Sequence, residues 1–123
     1  MSNKRVYRVE TEDGKGMYAM RIGIYYSVKN KDAPDPATHR PQPKIHIREH
    51  LSDVEDKSQH LFGFANIQQL KNWIRNPSDF EFLAENFKIS VYEVPLDDIV
   101  EDENQLVYFR PNAKLIERQS LLQ

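Results

Sequence analysis

The sequence predicts an α+β domain, a small and mostly antiparallel or split sheet with two or three short helices. Three observations carry this. Short period-two runs, about five or six of them, are scattered along the chain and never alternate regularly with helices, as a parallel sheet would require. Two stretches carry capping boxes, the sequence signature of a helix start. The chain has 123 residues, 39% hydrophobic and 11% aromatic, which suits one core and one domain over 1–123.

The elements follow in order. Arg5 to Glu10 is β-branched and aromatic and reads as a strand, with Val6, Arg8 and Glu10 on one side and Tyr7 and Val9 on the other. Asp13-Gly14 and Gly16 mark a turn. Met17 to Val28 reads as a second strand, with Met20, Ile22, Ile24, Tyr26 and Val28 at period two. Pro34, Pro36, Pro41 and Pro43 turn residues 30–44 into a long surface loop, since four prolines forbid a regular helix or central strand. Ile45, Ile47, Leu51 and Val54 fit a short strand or a weak helix.

His60 to Phe64 reads as a short aromatic strand or loop. Asn66 with Gln69 opens a helix whose apolar stripe is Ile67, Leu70, Trp73 and Ile74, and Asn76-Pro77 stops it. Ser78 with Glu81 opens a second short helix carrying Phe82, Leu83 and Phe87. Lys88 to Val94 is the best strand in the chain, closed by Pro95. Leu96 to Val100 reads as a turn of helix or an irregular link, and 101–104 as an acidic turn. Gln105 to Phe109 and Ala113 to Arg118 are two more strands, split by Arg110-Pro111-Asn112.

Composition excludes several functions. With no cysteine there is no disulfide scaffold, no Cys-ligated zinc and no thiol nucleophile. Seventeen Lys and Arg against 19 Asp and Glu argue against a nucleic-acid partner. No apolar run reaches membrane-spanning length and the N-terminal residues lack a secretory apolar region, so the expected location is cytoplasmic with no membrane partner.

Few motifs carry chemistry. His46-Ile47-Arg48-Glu49-His50 has the H-x-x-E-H form of a zinc hydrolase, two histidines on one helical face with a glutamate to activate water. Its setting beside a proline-rich loop lacks the supporting helices such a site needs, and no metal is expected. His39, next to Arg40 in the loop, suits contact with an anion or acid–base work. Arg8 either pairs with Glu10 at a sheet edge or points into a cleft as an anion binder, with Tyr18, Tyr25 and Tyr26 supplying aromatic surface.

Taken in order, Val6-Tyr7-Arg8-Val9-Glu10, Gly16-Met17-Tyr18, His39-Arg40-Pro41, Phe62-Gly63-Phe64, Trp73, Val91-Tyr92-Glu93-Val94 and Gln105-Leu106-Val107-Tyr108-Phe109 resemble the pattern of a family of small phage-encoded proteins. That layout is in turn similar to the ADP-ribosyltransferase fold. The resemblance implies that Arg8 grips the phosphates of NAD or another nucleotide, that Tyr18 and Tyr25 stack on nicotinamide, and that Asn66 falls where a hydroxyl residue is expected. It places Gln105, or Glu103 beside it, where a ribose-binding glutamate belongs. His39 joins the binding set. Asn66 supplies no hydroxyl and Gln105 no charge, so the chain departs from the transferase pattern at two positions.

Three functions follow from these readings. The first is a phage accessory protein, active in the infected bacterial cell, that binds a host or defence-system protein or a nucleotide-like ligand without full catalysis. The second is a diverged ADP-ribosyltransferase that modifies a host protein. The third is a metal-dependent hydrolase at His46, Glu49 and His50.

Overall fold

Among the described residues, six strands and two α-helices follow one another as β1 (Asn3–Glu10), α1 (Ile45–Asp53), β2 (His60–Gly63), α2 (Ile67–Trp73), β3 (Lys88–Pro95), β4 (Ile99–Glu101), β5 (Leu106–Phe109) and β6 (Lys114–Gln119). The computed structural model describes residues 2–14, 45–73, 81, 84–85 and 87–121. The expected strand from Met17 to Val28, the proline-rich loop 30–44 and most of the helix after Ser78 lie outside the described residues. So do Tyr18, Tyr25 and His39.

The strands form two antiparallel sheets of three. The first runs β1-β3-β6 and the second β2-β5-β4. The central strands, β3 and β5, are the most apolar of their sheets, because a central strand is covered by neighbours on both edges. The sheets are stitched where β1 meets the end of β2. The Tyr7 amide donates to the Phe64 carbonyl at 2.8 Å, and the Phe64 amide donates back at 2.7 Å. Lys4 of β1 adds an ion pair to Glu101 of β4 at 2.7 Å.

Period-two alternation in β1 and β3 divides the core in two. On one face of the first sheet, Val6, Tyr92 and Val94 pack with Leu106 and Tyr108 of β5. On the other, Val9, Ile89 and Val91 pack with Phe64, Leu70, Phe87 and Leu121. The first sheet is therefore apolar on both sides at its centre, with α2 laid over the second face through Ile67 and Leu70.

The α+β class with small antiparallel sheets agrees with the sequence reading. Two stretches left open in that reading are settled by the fold. Residues 45–53, read as strand or weak helix, are the helix α1, held by burial of Ile47. Leu96 to Val100, read as a turn of helix or an irregular link, holds a short 3-10 turn at Leu96–Asp98 and then enters the strand β4, which that reading lacked. Pro95 and two aspartates hide that strand, which is only three residues long. No helix of the described residues is long and apolar enough to cross a membrane.

Gly63 sits where β2 passes closest to β1. A Cβ built there lies 2.8 Å from Val6 Cγ1 and 3.1 Å from the Tyr7 carbonyl oxygen, which is backbone and cannot swing away. Gly63→Ala is expected to cost about 1–3 kcal/mol, the usual penalty of overpacking. Urea unfolding measures it, and a change within the error of the curve would mean that the strands separate freely at this point.

Candidate functional site

The register of the first sheet places three residues in one cross-strand row. Arg8 is opposite Ser90, and Ser90 is opposite Arg118. Neighbouring strands lie ~4.8 Å apart, so the two arginines flank the fully buried Ser90 at roughly 10 Å between backbones. Arg118 Nε donates to Ser90 Oγ at 3.3 Å, and its Nη2 donates to the Glu12 carbonyl at 3.1 Å. The next row on this face is Val6, Tyr92 and Leu115.

Glu10 lies two residues along β1 on the same face and is 1% exposed. Arg8 Nε donates to Glu10 Oε1 at 2.9 Å, and Tyr92 Oη donates to Glu10 Oε2 at 2.5 Å. Arg8 Nη1 reaches the second sheet and donates to the Phe62 carbonyl at 2.9 Å. Arg110, in the turn after β5, lays its guanidinium 4.5 Å from the centre of the Tyr92 ring. The Tyr108 ring lies 6.0 Å from that of Tyr92. Tyr108 is fully buried, and among the described residues its Oη has no hydrogen-bond partner.

Burial pushes the Tyr108 phenol well above the usual tyrosine range. Glu10 and Tyr92 add to the shift, while Arg8 and Arg110 oppose it. Burial also raises Tyr92, helped by its hydrogen bond to Glu10. Both phenols are therefore neutral donors at ordinary pH. Among the described residues, the cluster carries three guanidinium charges, Arg8, Arg110 and Arg118, around the one buried carboxylate of Glu10. An orphaned buried hydroxyl among surplus cations suits the oxygens of an anion.

The sequence-predicted residues divide between two places. Arg8 does pair with Glu10, as one reading of the alternation had it. The pair is not at an exposed edge, however, because β1 is bonded on both sides and the Arg8 side chain is only 14% exposed. Asn66 caps α2, its Oδ1 accepting from the Gln69 amide at 2.9 Å. Gln69 Nε2 donates in turn to the Glu103 carbonyl at 3.1 Å, so Asn66 and Glu103 share a partner. Gln105 is buried, and Asp102 holds its backbone in the turn between β4 and β5. The side-chain bonds of Arg8 run instead to Glu10 and Phe62.

His46 and His50 do stand one turn apart on α1. Their contacts tether the helix: His46 Nε2 lies 2.7 Å from the Glu101 carbonyl oxygen, and the His50 ring packs edge-on to His60 at 5.5 Å. Glu49 is exposed. Among the described residues, no group of three or more His, Cys, Asp or Glu side chains is placed to hold a metal ion.

Sequence reasoning missed Arg110, Arg118, Tyr92 and Tyr108 as parts of one site. They come from β3, β5, the turn after β5 and β6, and the register of β3 against β6 together with the ring contacts of Tyr92 brings them together. A family model described as Bacteriophage T4 Y00F protein matches residues 1–122. No curated protein and no solved structure matches the chain.

Proposed function

The chain belongs to the Bacteriophage T4 Y00F protein family, and from that premise we propose that it is a small phage accessory protein that binds a nucleotide-like anion without turning it over. Its place of action is the cytoplasm of the infected bacterial cell. The observation that carries the reading is the surplus of guanidinium charge on one sheet face, three arginines against the one carboxylate of Glu10. Arg8 and Glu10 form the fixed floor. Arg110 and the more exposed Arg118 reach the ligand's phosphates, and Tyr108 donates from below.

An oxocarbenium-like centre needs a carboxylate, and Gln105 is neutral. Asn66 is engaged in capping α2. These positions support binding and leave Glu103, beside Gln105, as the one carboxylate among them for transferase chemistry.

Calorimetric titration with NAD, ADP and inorganic pyrophosphate tests the proposal. At least one is expected to bind. Arg110→Ala and Arg118→Ala are each expected to weaken it about tenfold, or ~1.4 kcal/mol, with the fold intact by circular dichroism. No heat with any of the three, or unchanged affinity in both variants, removes this face as the site. Release of nicotinamide from NAD would overturn the claim of no turnover and favour the transferase alternative.

A further inference from the structure

β6 is the outer strand of the first sheet. Residues Lys114 to Arg118 are all exposed, among them Leu115 at 38% and Ile116 at 39%. Among the described residues, β3 is the one strand that pairs with it. The outward amides and carbonyls of such an edge are a template for another strand. The edge is bulged as well. Val91 stands opposite Glu117 and Tyr92 opposite Leu115, so Ile116 has no partner in β3 and is turned out beside Leu115.

Bulges and charges on an edge resist indiscriminate pairing, so any pairing has to match them. The sequence Lys114-Leu115-Ile116-Glu117-Arg118 matches itself in one antiparallel register. With Lys114 against the partner's Glu117, Leu115 falls against the partner's Ile116, and two-fold symmetry repeats both pairs. Slipping one residue toward the C-terminus sets Lys114 against the partner's Arg118. Slipping two leaves no opposite charges paired, and slipping three sets Glu117 against the partner's Glu117. Slipping four pairs Glu117 with the partner's Arg118 but puts Ile116 against a glutamine and leaves Leu115 out. Slipping one residue the other way sets Lys114 against the partner's Ile116.

We propose that β6 is a self-association edge. Two copies pair antiparallel through β6 in the register that sets Lys114 against the partner's Glu117, joining two three-stranded sheets into one of six. The occupant is a second copy because charge and apolar complementarity are both satisfied by the strand's own sequence. The edge shares β6 with the arginine face through Arg118, while among the described residues Lys114, Ile116 and Glu117 form no hydrogen bond or ion pair with Arg8, Glu10 or Tyr108.

Sedimentation equilibrium on the full chain over a wide concentration range tests this. A reversible monomer–dimer equilibrium is expected. Glu117→Lys and Lys114→Glu are each expected to weaken it at least tenfold, because each sets like charges against each other twice. The double variant Lys114→Glu/Glu117→Lys is expected to restore it to near the starting affinity. A chain that stays monomeric throughout overturns the proposal, as does a dimer indifferent to both single changes. Failure of the double variant to recover rejects this register, since pairing through Glu117 and the partner's Arg118 would not be rescued at residue 114. A chain that remains monomeric and pairs through β6 with a different protein alone also overturns it.

Discussion

Replacing Glu10 by alanine is expected to lower the unfolding free energy by about 3–5 kcal/mol, the cost of breaking a buried ion pair from one side. Two groups lose their acceptor. The Arg8 guanidinium, 14% exposed, keeps its charge and retains the Phe62 carbonyl alone. The Tyr92 hydroxyl, donating at 2.5 Å, is left in a buried site without its carboxylate oxygen. The cost arises from what is left behind, so the double variant Arg8→Leu/Glu10→Leu is expected to lose less than Glu10→Ala alone, since apolar replacement of a whole buried pair is often neutral. Urea unfolding of the two variants at neutral pH makes the comparison. A loss below about 1 kcal/mol for Glu10→Ala would mean that the pair behaves as a solvated surface bridge.

That expectation depends on a burial the sequence does not disclose. Alternation alone places Val6, Arg8 and Glu10 on one face of β1, and the packing of Val6 with Tyr92 and Leu106 agrees. Whether that face is wet depends on what covers it. The covering residues come from β5, a hundred residues along the chain, and no local pattern in β1 points to them. The best strand, Lys88 to Val94, and the Asn66 cap are legible because their signals are local: a run holding Ile89, Val91, Tyr92 and Val94, and a side chain three residues from the amide it caps. β4 is illegible because three residues cannot show a period. For the site the split is the same. Arg8 stands out as a long cation in an apolar strand, whereas Arg110 and Arg118 look like ordinary surface charges. They join Arg8 only through the cation–π contact on Tyr92 and the row through Ser90. Glu103, chosen for its place in the order of motifs, meets Asn66 through Gln69, and Gln105 is held by Asp102, both set by the fold of the β4–β5 turn and not by ligand chemistry.

Tyr108→Phe is expected to act in the opposite direction, raising stability while weakening the ligand. A buried hydroxyl without a partner costs about 1–3 kcal/mol, and phenylalanine keeps the ring in the core while removing that cost. The gain carries a pH signature. An unfolded tyrosine titrates near 10.0, and the folded Tyr108 and Tyr92 titrate higher. Below pH ~10 both states hold these protons, and the contribution of the neutral phenols is complete. Above it the unfolded chain releases protons that the folded chain keeps, so stability falls as pH rises toward the folded values. The wild-type melting temperature is therefore expected to decline through the alkaline range, with phenolate absorbance of the buried tyrosines appearing together with unfolding. Tyr108→Phe removes the larger of the two shifts and should flatten the decline, leaving the part that belongs to Tyr92. If the alkaline slope is unchanged in the variant, the Tyr108 hydroxyl is not held in a low-dielectric site. If stability rises and anion affinity is untouched, Tyr108 contributes an unsatisfied hydroxyl to the core and no donor to the ligand.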